Sequence, residues 1–291
     1  MGQLLDERET TMLLQLKRID LRKLILTIVI ALVGVIFLLP FAWMISASLK
    51  IEEEVLTFPI QWIPKQFNAV ENYTKVWTGS LSFTLLYWNS IKVTLLTTLT
   101  SATVSALAAY AFAKIQFKGR ELLFMIVLAT FMVPPQTLLV TQFLLYRWIG
   151  LYDTHLGLIL LNSFSVFGTF MLRQFFMSVN HEIIEAARID GAGHLRIFFR
   201  IALPLIKPAI ATYSILRFIW TWNDFQSPLI FLNSELLYTI QIGVKSFADD
   251  HGSIYSLMMA ASVSATVPLL IVFLIGQKHV IEGVQLGGVK G

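Results

Sequence analysis

The sequence predicts an all-α integral membrane protein with six transmembrane helices. Of its residues, 56% are hydrophobic and only 14% are charged, and the mean hydropathy is +0.71. Charged residues make up about a quarter of an ordinary soluble domain. In addition, six stretches approach the roughly 20 apolar residues that are needed to cross a hydrocarbon core. These observations exclude a soluble globular fold.

The six predicted spans are joined by short connections, except at two places. The first span is not a cleaved signal peptide, because its apolar run is too long and no small-residue cleavage site follows it. The two long connections cover residues 50–87 and 173–207, and the chain has a terminal segment at residues 1–23 and a tail at residues 277–291. The spans are predicted at residues 24–49, 88–113, 122–146, 154–172, 208–232 and 257–275.

The distribution of lysine and arginine predicts the orientation of these spans, because cytoplasmic loops are enriched in both residues. With the amino terminus in the cytoplasm, both termini and the connection 173–207 are cytoplasmic, and the connection 50–87 is extracytoplasmic. The net charge of +4 is explained by this topology rather than by binding to nucleic acid. The cytoplasmic side then collects Arg8, Lys17, Arg18, Arg22, Lys23, Lys114, Lys118, Arg120, Arg173, Arg188, Arg196, Arg200, Lys207, Lys278 and Lys290. The other side holds fewer, Lys50, Lys65, Lys75, Arg147 and Lys245.

The sequence lacks the residue patterns that are typical of an enzyme. The chain has no cysteine, which excludes disulfides, thiolate metal sites and cysteine nucleophiles. Its five histidines are isolated and lack the spacing of metal ligands. A membrane enzyme would be expected to cluster acids, histidines or a serine–lysine pair at one depth, and the sequence shows no such cluster. We therefore expect a chain without catalytic residues, cofactor or bound metal.

One polar island interrupts the apolar chain in the second long connection. The run from Glu185 to Gly191 reads EAARIDG. Asn180 is suited to cap the start of a helix at this place, and Gly191 is suited to end it with a positive φ. A second short helix is predicted from about His194 to Ala202. Its apolar face is predicted to consist of Leu195, Phe198, Phe199 and Ala202, with Arg196 and Arg200 on the other face.

The paired alanines of the island have two interpretations. Ala186 and Ala187 leave one side of the first helix nearly flat, so that another protein surface could approach closely. Alternatively, the segment is an ordinary interfacial loop whose alanines pack against the chain's own helices. The spacing alone leaves both interpretations open.

The island belongs to a longer pattern of Glu-Ala-Ala, three residues, Gly, nine residues and Ile-x-Leu-Pro. Every position is matched, by Glu185, Ala186, Ala187, Gly191, Ile201, Leu203 and Pro204. This pattern resembles the cytoplasmic coupling loop of the permease subunits of bacterial ABC importers. The resemblance implies that the loop contacts an ATPase and transmits its motion. The residues that it assigns to coupling are Glu185, Ala186, Ala187, Asp190, Gly191, Ile201, Leu203 and Pro204.

Further segments indicate which subfamily of these permeases the chain resembles. Residues 167–176 lead into the loop, residues 222–225 read WNDF, and the chain closes with residues 277–291. Together these segments are similar to the carbohydrate-importer permeases of the six-span, maltose-transporter type. The resemblance implies a MetI-like ABC importer permease fold for residues 88–276, with a cytoplasmic coupling helix. It also implies import of a sugar or an oligosaccharide, with glycerol phosphate, a polyol or an amino acid as the alternative substrate.

The partners implied by the resemblance agree with an absence in the sequence. No G-x-x-x-x-G-K-[ST] phosphate loop is present, so ATP and Mg²⁺ are expected on a separate ATPase subunit, present as a dimer. The resemblance further implies a second permease subunit that completes a heterodimer, and an extracytoplasmic solute-binding protein. It places the chain in the lipid bilayer of a bacterial cytoplasmic (inner) membrane.

The fifth predicted span carries the candidate residues of a substrate path. Arg217 is expected near the middle of the membrane, and Asn223 and Asp224 in its outer half, where polar side chains face a bundle interior or a wet cavity. Arg217 and Asp224 are seven residues apart and would share a helix face. Trp220 and Trp222 offer flat apolar surfaces on which sugar rings stack. The alternative is that these residues support a kink and contacts between helices.

Overall fold

The computed structural model describes residues 21–79, 81–249 and 252–288. The predicted cytoplasmic positions of Arg8, Lys17, Arg18 and Lys290 lie outside these ranges, as does most of the segment 1–23. The described part is mainly helical, as predicted. Its helices are α1 (Leu21–Ser48), α2 (Glu52–Val55), α3 (Ala69–Thr78), α4 (Phe83–Lys114), α5 (Arg120–Thr130), α6 (Pro135–Trp148), α7 (His155–Leu161), α8 (Val166–Ser178), α9 (His181–Ile189), α10 (His194–Ile197), α11 (Leu203–Leu205), α12 (Lys207–Trp222), α13 (Gln226–Phe231), α14 (Ile240–Lys245) and α15 (Tyr255–Gly288).

Three short elements complete the described chain. A π-helical turn at Phe198–Ala202 joins α10 to α11, and a 3₁₀ turn at Glu235–Leu237 precedes α14. A small antiparallel hairpin of β1 (Ala248–Asp249) and β2 (Gly252–Ser253) leads into α15.

Three of the predicted spans are single long helices. α1, α4 and α15 are each long and apolar enough to cross a membrane. α4 begins at Phe83 and α15 continues to Gly288, so both extend beyond the predicted spans. α1 contains Pro40, whose missing amide removes one helical hydrogen bond but does not end the helix.

The third predicted span is divided into α5 and α6, which meet at an angle of 95°. Pro134 and Pro135 lie at the bend. Pro135 occupies the first turn of α6, where a helix needs no backbone donor. Each proline also disfavours the helical conformation in the residue before it. The two prolines therefore separate α5 from α6 and allow the chain to change direction.

The fourth predicted span is also divided, into α7 and α8, which are bent by 50°. Both halves begin at a hydroxyl cap. Thr154 Oγ1 accepts a hydrogen bond from the amide of Gly157 at 3.0 Å, and Ser165 Oγ accepts one from the amide of Gly168 at 3.0 Å. Such caps satisfy donors that a helix start leaves without a partner.

The fifth predicted span consists of α12 and the short α13, with a break between Trp222 and Gln226. α12 has 16 residues, fewer than the roughly 20 that cross a hydrocarbon core. In the described part of the chain, three helices qualify as spans, or up to five if each bent pair is one span. The predicted number of six spans is therefore not confirmed by helix length.

The helices α4, α8 and α12 meet near Gly168. A Cβ atom at this position would lie 2.4 Å from the ring of Tyr213, so that only glycine fits. The hydroxyl groups of Tyr213 and Ser101 are 2.8 Å apart in the buried interior. Small residues at helix contacts allow backbones to approach closely in a membrane protein, and this contact joins three helices at one point.

Glu52, in α2, caps the start of the last helix, α15. Glu52 Oε1 accepts a hydrogen bond from the amide of Tyr255 at 2.9 Å, and Glu52 Oε2 accepts one from the amide of Ser256 at 2.8 Å. A carboxylate at a helix start satisfies free amides and interacts favourably with the helix dipole. The connection between α1 and α4 is thereby fixed to α15.

Asp153 fastens the α6–α7 connection to the end of α13. Its Oδ1 accepts hydrogen bonds from the amides of Asn233 and Ser234 at 2.8 and 2.9 Å, and its own amide donates to the carbonyl of Phe231 at 2.9 Å. The hydroxyl of Ser234 donates to the other carboxylate oxygen. These bonds hold the pKa of Asp153 below its ordinary value, and the bond from the Ser234 hydroxyl has the largest effect.

We expect Asp153→Asn to lower the unfolding temperature in detergent at pH 7 by a few degrees. Asparagine tolerates the positive φ of this position, 58°, so the change removes the charge and the oxygen that accepts from the Ser234 hydroxyl without straining the backbone. Because the folded-state pKa is lowered, the contribution of the carboxylate is complete above the ordinary value of about 4 and is lost as the pH falls through the folded value. The difference between the two proteins should therefore shrink below pH 4, and a difference that does not depend on pH would contradict this explanation.

Candidate functional site

The polar island forms α9, which begins where α8 ends against the last turn of α4. Lys114 closes α4 and is buried, with only 6% of its surface exposed. Its Nζ donates to the carbonyl of Val179 at 2.7 Å. Asn180 then caps α9 by accepting a hydrogen bond from the amide of Glu182 at 2.9 Å, as the sequence predicts. The start of α9 is thus held by a side chain of α4.

The two faces of α9 are different. Ile184 and Ala187 are buried and pack into a hydrophobic cluster with residues of α4, α8 and α12. Glu185 and Ala186 are exposed, and Ile189 is 86% exposed. Of the two interpretations, packing against the chain's own helices holds for Ala187, because its helix position turns it toward the bundle, and an open surface holds for Ala186. Ala186 alone is open to an approaching surface.

The carboxyl end of α9 is a Schellman motif. The amide of Ala192 donates to the carbonyl of Ala187 at 3.0 Å, and the amide of Gly191 donates to the carbonyl of Arg188 at 2.9 Å. Gly191 has a φ of +80°, the left-handed conformation that this motif requires. The prediction for Gly191 is confirmed, and Asp190 is the exposed residue that precedes it.

The second short helix differs from the prediction. Phe198 and Ala202 are buried as expected, but Leu195 and Phe199 are exposed. The buried partner of Phe198 is instead Ile197. The buried Ile197 and Ala202 are five residues apart, and between them runs the π-helical turn, in which the amide of Leu203 donates to the carbonyl of Phe198 five residues earlier. A π-helical turn contains one extra residue, so a regular helical spacing does not describe this segment.

The remaining residues of the pattern surround the start of α12. Ile201 and Leu203 are partly buried against the same hydrophobic cluster as Ile184. Pro204 is exposed and lies in the first turn of α11. These positions fix where the chain returns from the island to the bundle.

Two basic residues near the island, Arg173 and Arg188, have contacts that the sequence analysis did not predict. Arg173 forms two hydrogen bonds with the carboxylate of Glu121, at 3.1 and 3.0 Å. Its guanidinium lies 4.1 Å from the ring centre of Phe124. Arg188, on α9, donates to the carbonyl of Lys114 at 3.4 Å. In the sequence these basic residues only indicated topology, and a pattern of charge alone does not show which of them are buried.

Two of the candidate substrate-path residues, Trp222 and Asp224, line one small cavity together with Asn162. Arg217 donates to Asn162, at 2.6 Å to the backbone carbonyl and at 3.0 Å to the side-chain oxygen. It therefore binds the break between α7 and α8. Asp224 lies beyond the end of α12, so the predicted shared helix face does not exist. Its Oδ1 accepts a hydrogen bond from the amide of Ser227 at 3.0 Å, at the start of α13.

The two tryptophans of this region have different surroundings. Trp222 is buried, stacks on Phe218 and donates its indole N–H to the carbonyl of Ala265 at 2.9 Å. Trp220 is 44% exposed and contacts the ring of Phe167 edge-on. Asn223 is exposed as well. Among the tryptophans of this region, Trp220 alone offers a surface to a ligand.

Beside Asp224 lies a small polar cavity of ≈ 10 Å³, lined by Thr97, Asn162, Thr221 and Thr239 among others. The hydroxyl groups of the three threonines are buried without a hydrogen-bond partner. A cavity of this size holds about one water molecule. It is too small for a sugar. Among the described residues, no group of histidine, aspartate and glutamate side chains is placed to bind a metal.

Residues 101–285 match a protein family described as binding-protein-dependent transport system inner membrane component. The arabinooligosaccharides transport system permease protein AraQ of Bacillus subtilis (strain 168) is 33% identical to this chain, over 92% of this chain and 96% of AraQ. The trehalose/maltose transport system permease protein MalG of Thermococcus litoralis is 34% identical, over 93% and 98%. The lactose transport system permease protein LacG of Rhizobium radiobacter is 30% identical, over 90% and 94%.

Solved structures show the same fold. A chain of a bacterial ABC transporter involved in the import of the acidic polysaccharide alginate superimposes with a TM-score of 0.78 and 25% identity, covering 90% of this chain and 98% of that chain. A chain of the MetNI methionine ABC transporter in an inward-facing conformation has a TM-score of 0.53 and 15% identity, covering 67% and 93%. The latter likeness concerns the fold alone.

We expect Gly191→Val to loosen the end of α9, whereas Gly191→Asn should be tolerated. An added Cβ meets no atom within 4 Å, so the cost comes from the backbone conformation, about 1–2 kcal/mol for an ordinary residue. Asparagine adopts a positive φ more readily. Limited digestion with trypsin, which cleaves after the exposed Arg188 and Arg196, measures the loosening. Equal cleavage rates for both variants would contradict the proposed role of the left-handed conformation.

Proposed function

The chain belongs to the family of binding-protein-dependent transport system inner membrane components, and on this basis we propose that it imports a sugar or an oligosaccharide as one of two permease subunits. In this proposal the second permease subunit completes a heterodimer around the substrate path. A pair of ATPase subunits binds ATP and Mg²⁺ on the cytoplasmic side, and a solute-binding protein delivers the substrate from the other side.

The relatives support a carbohydrate as the substrate. AraQ, MalG and LacG each match nine tenths or more of this chain. AraQ is named for arabinooligosaccharides, MalG for trehalose and maltose, and LacG for lactose. A sulfoquinovosyl glycerol permease of Agrobacterium fabrum is 33% identical over 87% of the chain, and it favours a glycoside of a polyol as a second candidate. Identifying the ligand that copurifies with the solute-binding protein would distinguish the two.

The exposed face of α9 is the observation that supports coupling to an ATPase. Glu185, Ala186 and the apolar Ile189 are exposed side by side on a short, capped helix. Their exposure does not stabilise the chain's own bundle. A complementary surface on another protein would cover the apolar side chain and pair with the carboxylate. The small side chain of Ala186 allows that surface to approach closely. Asp190 and Pro204 are also exposed and belong to the same docking surface.

The attachments of α9 explain how a force applied to it would reach the membrane helices. Lys114 and Arg188 connect it to the end of α4, through the carbonyls of Val179 and of Lys114 itself. Arg173 connects the adjacent α8 to the start of α5 through Glu121. Ala187 packs into the bundle. A displacement of α9 therefore acts on α4, α5 and α8 together.

We expect Glu185→Arg to abolish uptake by the transporter reconstituted in liposomes with its ATPase and binding protein. The substitution reverses the charge of an exposed carboxylate whose internal contact is with His181, at 3.0 Å on the same helix. ATP hydrolysis should lose its stimulation by the loaded binding protein, while the amount of inserted protein stays unchanged.

The matched control for this experiment is Lys118→Glu, which also reverses the charge of an exposed residue on the same side of the membrane. Lys118 lies in the connection between α4 and α5, outside α9, so uptake should be close to normal. Normal uptake by Glu185→Arg would contradict the coupling role but would leave the identification of the substrate intact.

We expect alanine substitutions at the two tryptophans of α12 to change different properties, the concentration dependence of uptake for Trp220 and the amount of folded protein for Trp222. Trp220→Ala should raise the substrate concentration for half-maximal uptake with little loss of protein, because Trp220 is partly exposed and would stack on the sugar. Trp222→Ala should reduce the amount of folded protein, since removal of a buried tryptophan costs about 3–5 kcal/mol. Uptake by Trp220→Ala with an unchanged concentration dependence would remove Trp220 from the substrate path.

A further inference from the structure

The connection between α2 and α3 exposes an unusual number of large apolar side chains. Phe58 is 95% exposed and Ile63 is 81% exposed, and Leu56, Ile60 and Trp62 are also exposed. Residues 56–64, LTFPIQWIP, contain no charged residue. Large exposed apolar patches indicate a surface that is covered in the functional protein. The position of this segment on the molecule indicates what covers it.

The segment is bound to the last turns of α1. The hydroxyl of Ser46 donates to the carbonyl of Trp62, and Nζ of Lys50 donates to the carbonyl of Gln61. The rings of Trp62 and Trp43 meet edge-on, with centroids 5.7 Å apart. The segment therefore lies beside α1 rather than extending away from it.

The contacts with α1 also give the depth of the segment in the bilayer. The uncharged part of α1 begins at Leu24. At 1.5 Å per residue, a hydrocarbon core about 30 Å thick ends about 20 residues later, near Met44. Trp43 and Ser46 flank this boundary, and both contact Trp62. The segment is consequently level with the interface between acyl chains and headgroups.

An exposed apolar surface of α1 adjoins the segment. Ser46, Ala47 and Ser48 are buried, but Phe41 and Ile45, beside Trp43 and Ser46, are exposed. The apolar side chains of residues 56–63 continue that surface. Tryptophan, other aromatic residues and isolated apolar side chains are favoured at this depth. Charged residues appear only at the two ends of the segment, with Glu54 before it and Lys65 after it.

We propose that residues 56–63 form a membrane-interface segment, which inserts Phe58, Ile60 and Ile63 into the lipid leaflet at the Ser48 end of α1. The carbonyls of Gln61 and Trp62 are satisfied by Lys50 and Ser46, which removes part of the cost of bringing a non-helical backbone close to hydrocarbon. The segment thereby positions α2 and α3 at the membrane surface. This inference requires only that α1 spans a membrane, and it does not depend on the substrate.

Single-cysteine labelling tests the proposal directly, because the chain contains no native cysteine. Ile63→Cys is labelled with a nitroxide in the assembled transporter in lipid nanodiscs, and its collision rates with oxygen and with a water-soluble nickel complex are measured. Val33→Cys, in the exposed middle of α1, is the lipid control, and Lys75→Cys, exposed on α3, is the aqueous control. Phe58→Cys repeats the measurement at a second site of the segment.

The expected result is that the labels at positions 63 and 58 collide with oxygen more often than the Lys75 label does but less often than the Val33 label, which lies near the centre of the bilayer. They should collide with nickel several-fold less than the Lys75 label does. Nickel accessibility equal to that of the Lys75 label would show that the segment lies in water, and would overturn the proposal. Protection from both reagents would show that a protein partner covers the segment, and would overturn it too.

Discussion

The constraint on which this structure depends is that a helix broken inside an apolar bundle must find partners for its freed backbone groups. The chain meets it with polar side chains from neighbouring elements. Arg217 donates to the carbonyl of Asn162, where α7 ends. Gln241 donates to the carbonyl of Trp222 at 3.0 Å, where α12 ends. Each bond joins two elements, so the breaks hold the bundle together rather than weaken it.

The same constraint explains the contacts of the polar residues of α12 and its continuation. Asp224 accepts a hydrogen bond from the amide of Ser227 at the start of α13, and Arg217 donates to Asn162 at the α7–α8 break. Both residues lie where polar groups inside a membrane are expected to have a function, and within this chain each satisfies a backbone group. The exposed Trp220 remains available to a solute, consistent with a path that lies along the surface of the chain and is completed by a second subunit.

Local chemistry decided how much could be predicted from the sequence. Asn180 and Gly191 were predicted correctly, because capping and a left-handed turn depend on the residue itself and its nearest neighbours. The helical class and three of the spans followed from apolar length. The inward position of Ala187 and the contacts of Lys114 depend on elements that are distant in sequence, and the end of α12 is bonded by Gln241, which is also distant. Pattern analysis does not contain this information.

The capping of α15 by Glu52 has a consequence for the synthesis of the protein. The carboxylate and the amide of Tyr255 that it binds are 203 residues apart. At typical elongation rates of about 5–20 residues per second, about 10–40 s pass between the synthesis of the two groups. During that time, the region that includes Glu52 has left the ribosome without the helix it completes. The final closure of the fold is therefore coupled to the end of translation, and a truncated chain leaves this carboxylate without its helix.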